Sequence, residues 1–337
     1  MKILVNCINN LEELPTGILN KIDKTNMFYT DDYANLIKDQ GGKVYYIYTC
    51  NYIMPISIMK SYIFKWANIL SECYSLSDYK SESVREFLDV CMEYMKKKLK
   101  IEFVEMSPTY AFFEDYPTKG KRIPFGSHVI DLTQTEDEIY NNMKSRCKKS
   151  IKTAQNKELT IKRGRLEILN DYLKIDKETW KRSNINDDHT KLYTEIIENL
   201  PNNAIIFITY LGDEAQGGAI YFYDHNICNS IYGARKNKPV NGSRNFLHWE
   251  VMKYMKKEGV SLFSLVGCRI NEDKNSKAHG IQMFKESFGP ELKKSFLFKV
   301  VFNNFMYILY NFVRAIKTRN FYKDIIDQEI HKWKDIN

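Results

Sequence analysis

At 337 residues the chain is too long for one ordinary domain of ~100–200 residues, and a composition 44% apolar and 14% aromatic excludes a disordered chain. Seven scattered cysteines (Cys7, Cys50, Cys73, Cys91, Cys147, Cys228 and Cys268), none in a CxxC pair, argue against a disulfide scaffold or structural zinc and for reduced thiols. The net charge of +8 admits an anionic partner (phosphate, nucleotide, tRNA or lipid headgroup) but equally a plain solubility role.

The opening apolar run breaks off into Asn9, Asn10 and Glu12, too short for a signal peptide, and no window holds the ~18 apolar residues of a spanning helix. The expected location is the cytoplasm, with peripheral contact at the inner membrane face left open. Residues 3–7 read as a short strand, and 28–33 as a capped start leading into a helix at 34–38. Residues 43–48 and 52–58, rich in Val, Tyr and Ile, read as a hairpin. In 83–99, Val84, Phe87, Leu88, Cys91, Met92 and Met95 fall at helical spacing, and 101–106 alternates as a strand. A polar stretch at 117–124 precedes a strand at 127–132.

Next, 136–155 reads as one helix, with Ile139, Met143, Cys147 and Ile151 at i+4 steps on one face. Its other face holds Lys144, Arg146, Lys148, Lys149 and Lys152, and the domain junction is expected here. The second half reads as helices at 166–184 and 191–200, strands at 204–211, 216–224 and 226–234, a helix at 246–258 and a strand at 262–266. From Phe296 an aromatic tail with Arg314, Lys317, Arg319 and Lys323 reads as a helical segment that packs on the second domain or lies in a membrane interface, packing being favoured. The expected fold class is α/β with mixed sheets in two domains, 1–150 and 151–295, plus a C-terminal helical segment, 296–337.

No GxSxG elbow, HExxH helix, GxxxxGK[ST] loop or strand-borne GxGxxG occurs, and the six histidines show no metal spacing, so no metal site is expected. Four segments carry a likeness instead. Residues 143–154 (MKSRCKKSIKTA) resemble the M-K-x-x-x-x-x-x-I-R-K-A helix of the Fem family, transferases that add amino acids to the peptide of peptidoglycan precursors. Residues 129–132 (VIDL) look like its v-i-D-L strand, 245–250 (NFLHWE) like its N-x-L-x-W-E helix, and 279–289 (HGIQMFKESFG) like its closing G-l-x-x-F-K-x-g-F-G. The strand and helix order of the second half is also similar to the acetyltransferase (GNAT) half-fold, so the resemblance implies two tandem GNAT-like domains with the chemistry in the second. The same segments resemble acetyltransferase-like proteins of envelope polysaccharide synthesis.

Acyl transfer to an amine needs no metal when an uncharged amine is held against the carbonyl, but it needs the developing oxyanion stabilised. The resemblance assigns that charge to Lys285, with Phe284 walling the site. Candidate substrate contacts are Tyr232, Arg235, Arg244, Asn245 as the N-cap of the 246–258 helix, Glu250 as an amine-binding carboxylate, and Lys148 and Lys149 as phosphate contacts. The place of a coenzyme A loop (Q/R-x-x-G-x-G/A) holds Lys238-Pro239-Val240-Asn241-Gly242-Ser243-Arg244, with one glycine, which favours a donor other than acetyl-CoA. No resident cofactor is expected; the donor would be an aminoacyl-tRNA or an acyl thioester. The acceptor would be a muropeptide, nucleotide sugar or lipid-linked envelope precursor. An acyl-CoA-dependent N-acyltransferase on a nucleotide sugar and a non-catalytic RNA- or lipid-binding module remain as alternatives.

Overall fold

The computed structural model describes residues 3–76, 83–110, 112–182, 188–270, 276–318 and 324–334. Asn184, Arg319 and Lys323, which the sequence reading used, lie outside them. In chain order the elements begin with β1 (Asn6–Ile8), α1 (Thr16–Leu19), α2 (Asp31–Asp39), β2 (Gly42–Tyr48), β3 (Tyr52–Ser61), β4 (Phe64–Ile69) and β5 (Tyr74–Ser75). They continue with α3 (Val84–Lys97), β6 (Phe103–Met106), β7 (Lys121–Asp131), α4 (Glu136–Asn142), α5 (Ser145–Asn156), β8 (Thr160–Gly164), α6 (Leu166–Lys181) and α7 (Thr190–Asn199). Then follow β9 (Ala204–Leu211), β10 (Glu214–Tyr223), β11 (Ile227–Arg235), α8 (Ser243–Lys257), β12 (Leu262–Arg269) and α9 (Lys277–Glu286). The last are β13 (Glu291–Val301), α10 (Asn304–Thr318) and α11 (Ile325–Lys334).

Two compact units form: Met1–Lys24, Phe28–Ser127 and Lys293–Asn337 make the first, and Thr25–Met27 with His128–Leu292 the second. The expected α/β class with mixed sheets is borne out. The division, however, falls at Ser127/His128 inside a strand rather than near residue 150, and the C-terminal segment belongs to the first unit, not the second. That segment is not helical throughout, because its apolar start is β13.

In the first unit the strand order is β1-β2-β3-β4-β6-β13, antiparallel except for the parallel pair of β4 and β6. Local chemistry sets the helix starts. Thr30 Oγ1 accepts from the Tyr33 N–H at 3.3 Å to cap α2, and Ser83 and Glu86 form a reciprocal capping box on α3. The apolar stripe of α3, Phe87, Leu88, Cys91 and Met95, is fully buried against Met54, Ile56, Val104 and Phe298.

In the second unit the order is β7-β12-β11-β10-β9-β8, with β11 and β12 parallel. Cys147, Ile151, Tyr221, Phe263 and Phe288 share one core with the central helix α8. The single helix expected over 136–155 is two. Met143 is extended (ψ 142°), and Thr135 and Glu138 box the start of α4. The Lys144 N–H donates to the Ser287 carbonyl at 2.9 Å instead of continuing a helix. Gly289, at φ +71°, brings its Cα so close to the Asn142 carbonyl that a Cβ would stand 2.2 Å from that oxygen. The apolar i+4 steps survive the break, and Ile139, Met143, Cys147 and Ile151 are all buried. No described helix is long and apolar enough to cross a membrane.

Candidate active site

The two parallel strands at the middle of the second unit part early. Their register runs from Ile227↔Leu262 to Asn229↔Ser264 and stops, although β11 continues to Arg235 and β12 to Arg269. Just beyond, the ladder of β10 and β11 shifts between Ile220↔Tyr232 and Tyr221↔Ser230, leaving Ile231 as a bulge. Bulges bend a strand and re-aim its side chains beside a site. On β12, Val266 stands at φ +56°, a left-handed conformation that a β-branched residue rarely takes, with its N–H on Ser264 Oγ at 3.0 Å.

Lys285, in the last turn of α9, donates from Nζ to the Val266 and Gly267 carbonyls at 3.3 and 2.7 Å, on β12 just past the point where the strands part. Burial pulls its pKa down to about 8, with Arg244 adding to the shift and Cys268 opposing it. Among the described residues the ammonium meets no carboxylate.

A close approach sets the partner helix. Gly242, at φ +85°, precedes α8, and a Cβ there would stand 2.0 Å from the Ser150 carbonyl on α5. One turn apart on α8 lie Arg244 and His248. The Arg244 guanidinium covers the Phe284 ring at 4.7 Å, a cation–π contact in a desolvated place. His248 is buried and shares a 3.0 Å hydrogen bond between its Nδ1 and the Tyr221 hydroxyl. Burial first, then the Arg244 and Lys285 charges, hold its pKa well below the usual imidazole value, so the ring is neutral. Phe288 and Phe284 meet edge-on at 5.3 Å, and Phe288 meets His248 at 5.6 Å.

Two cations of α5's leading end fasten α9. Lys144 pairs with Glu286 at 3.2 Å, and Arg146 donates to the Met283 carbonyl. On β11, the Tyr232 ring meets Tyr193 at 5.0 Å, tilted by 52°, and its carbonyl accepts from the Tyr172 hydroxyl at 2.7 Å. Behind them the buried Asp176 accepts from Trp180 Nε1 at 3.0 Å and lies 3.2 Å from His189 Nδ1. The polar ends of Tyr172, Tyr193 and Trp180 in this aromatic wall are all bonded.

Of the residues singled out from sequence, Lys285, Phe284 and Arg244 come together, and Tyr232 lies on β11 with its aromatic wall. Arg235 ends β11 with an exposed side chain and its backbone held by Thr179. Asn245 is not the N-cap: α8 starts at Ser243 after Gly242, and the Asn245 amide donates to Cys147 Sγ at 3.2 Å. Glu250 pairs with Lys253 at 2.7 Å and, two residues after His248, points roughly 200° round the helix from it. Lys148 donates to the Asn141 carbonyl at 2.9 Å, and Lys149 is exposed on α5.

Sequence reasoning passed over His248, whose spacing from Arg244 was the available signal, and the carbonyls of Val266 and Gly267, which have none. It also passed over His128 on β7. That side chain is buried, both ring nitrogens lack a partner among the described residues, and burial, then the Lys285 charge, pulls its pKa down to about 4. No group of three or more His, Cys, Asp or Glu able to hold a metal occurs among the described residues.

Residues 111–215 match the FemAB family. That stretch includes the 129–132 and 143–154 segments; the 245–250 and 279–289 segments lie beyond it. No curated protein matches the chain. Among solved structures it is similar to FemX at a TM-score of 0.64 and 16% identity, over 82% of this chain and 92% of FemX. It is also similar to the C-terminal domain (DUF2156) of a putative lysylphosphatidylglycerol synthetase from Agrobacterium fabrum, at 0.53 and 11%, over 85% and 92% of the two chains. L-PGS from Bacillus licheniformis gives 0.51 and 11%, over 82% and 90%. The structures speak for the fold. With the family match they bear out the Fem-type resemblance, and the chain is a transferase.

Proposed function

We propose that the second unit transfers an aminoacyl or acyl group to an amino group of a cell-envelope precursor, a muropeptide or an amino sugar, at the inner face of the membrane. The observation that carries this reading is the Lys285 ammonium, half-buried where β11 and β12 part and anchored on two backbone carbonyls rather than neutralised by a carboxylate. In the reaction the amine nitrogen bonds to the carbonyl carbon, the carbonyl oxygen takes negative charge, and the ester or thioester bond then breaks. The proton lost by the amine ends on the leaving oxygen or sulfur. Lys285 keeps an N–H for the transient oxyanion, and removing one such donor typically costs ~10²–10³ in rate.

The remaining residues orient and exclude water. Arg244, desolvated and stacked on Phe284, offers its guanidinium to a carboxylate or phosphate of a substrate. Tyr232 and Tyr193 supply an aromatic wall, and neutral His248 is held by Tyr221 so that it adds no second charge beside Lys285. An aminoacyl-tRNA is the favoured donor, because the segment before α8 offers one glycine, Gly242, and that glycine is pressed against Ser150. The test is to give the protein charged tRNAs, or a panel of acyl-CoAs, together with a muropeptide or amino-sugar acceptor. Donor consumption that requires both the acceptor and Lys285 supports the reading. Consumption of acyl-CoA alone would move the donor to the thioester class, and consumption that survives Lys285→Ala would overturn the site.

A further inference from the structure

The first unit carries a surface that the transfer chemistry does not use. On α10 one side packs inward: Tyr310 meets Phe64, Trp66 and Phe103 at 5.0–5.5 Å, Tyr307 meets Phe103 at 4.9 Å, and Ala315 is buried. The other side presents Phe305, Ile308, Phe312 and Ile316, which are 72, 68, 57 and 57% exposed. Steps of three and four put them in one stripe. Such a contiguous run of large apolar side chains marks a contact surface.

A second element of the same unit points the same way. Ser61↔Phe64 closes a two-residue turn between β3 and β4, and its tip is Tyr62-Ile63, 91% and 66% exposed. Tyr62 stands at φ +55°, where Asn or Gly is the ordinary occupant of so tight a hairpin. The chain therefore accepts backbone strain to hold an aromatic and a β-branched side chain in water. Phe64, next to the tip, touches Tyr310, so the tip stands beside α10.

Cations lie close to both elements. Lys60 and Lys65 lie directly opposite each other one step behind the tip, a like-charge pair that weakens a free hairpin. Helix α10 carries Arg314 and Lys317 and no acidic residue. An apolar stripe and an aromatic wedge with cations beside them match an anionic interface, where the rings enter the acyl boundary and the cations meet headgroups.

We propose that α10 and the Tyr62-Ile63 tip together dock the first unit on a bilayer containing anionic phospholipid. The inference does not depend on the donor or acceptor of the transfer reaction. The test is co-sedimentation of the full chain with vesicles of phosphatidylcholine alone and of phosphatidylcholine mixed with phosphatidylglycerol. The protein should pellet with the mixed vesicles, and the bound fraction should fall as salt is raised. The double change Tyr62→Asn with Ile63→Gly suits the turn better than the native pair, so folding should be kept or improved. It should nevertheless lower the partition coefficient at least ~tenfold, given what burying one large apolar side chain is worth. Phe312→Ser, at an exposed position, should add to the loss. Failure of the wild type to pellet with mixed vesicles at low salt, or undiminished binding by the double variant, would overturn the proposal. So would a wild-type dimer that the same changes split, since the surface would then be covered by a second copy.

Discussion

Each unit draws a lysine in from solvent, Lys299 fully and Lys285 in part, and the two meet opposite fates. In the first, Lys299 is 1% exposed and donates to Asp324, to Asp327 at 2.6 Å and to the Tyr307 hydroxyl at 2.9 Å, so its pKa is raised despite burial. Nearby, the parallel pair of β4 and β6 holds register along the whole of β6 and is roofed by Tyr307 and Tyr310. In the second unit the parallel pair parts after three residues, and Lys285 is held by carbonyls that orient the ammonium without cancelling its charge. A neutralised lysine can only hold structure, whereas an oriented and uncancelled one has charge to give a reacting group.

The comparison can be broken most directly by the same substitution in both places. Lys299→Met leaves Asp324 without its cation and Asp327 with Lys121 alone, and should cost ~3–5 kcal/mol of stability, read as a lower urea midpoint, with activity per folded molecule unchanged. A stable Lys299→Met would mean the ion cluster is ornamental. Lys285→Met or Lys285→Ala should instead leave stability equal or slightly higher, since burial disfavours the native ammonium. Turnover should drop ~10²–10³-fold, about 2.7–4 kcal/mol of lost transition-state stabilisation.

Proton titration sharpens the contrast. A cation whose pKa is lowered to about 8 loses its charge above that pH, so kcat/KM should fall on the alkaline side near pH 8, approaching tenfold per unit. Lys285→Arg, if it turns over at all, should shift that limb upward; an unmoved limb would assign it to another group. The smallest effect concerns acid. His128, at about 4, and His248, well below its usual value, bind protons less readily folded than unfolded. Stability should therefore fall as pH drops below ~6.5, by up to about 1.4 kcal/mol per unit for each ring, with the His128 part ending near pH 4. His128→Asn should flatten the slope measured by urea unfolding between pH 7 and 5.

Much of this was readable from residue pattern. The β2–β3 hairpin, the stripe of α3, the helices α6 and α7 and the strands β9 to β12 follow periodicity and caps. The Fem-like segments led to Lys285 and Phe284. What escaped did so for physical reasons. β13 is buried on both faces, with Phe298, Lys299 and Val300 all inside, so it shows no alternation and read as the start of a helical tail. β4 carries Lys65, Trp66 and Asn68 among its apolar residues and has no clean period. The break between α4 and α5 hides beneath apolar steps that continue through it. Val266 bears no mark in sequence of a conformation imposed by its surroundings. Asn245 looked like a cap because it precedes an apolar run, but the glycine three residues earlier already opened the helix.

The early switch of unit at Ser127 and the late return at Lys293 bear on how the chain is made. Strand β13 pairs with β6 through Val300↔Val104 and Val301↔Phe103, so a strand that completes the first unit's sheet leaves the ribosome only after the whole of His128–Leu292. Apart from Thr25–Met27, the second unit is one uninterrupted stretch and can fold as soon as it emerges. The usual order of vectorial folding is thus reversed: the N-terminal sheet waits, with the edge of β6 unpaired, for the roughly 10–30 s that translation of His128–Leu292 takes at ordinary elongation rates. During that interval the nascent first unit is the part most in need of a chaperone, and a chain stalled before β13 should be recovered with its second unit protease-resistant and its first unit cut.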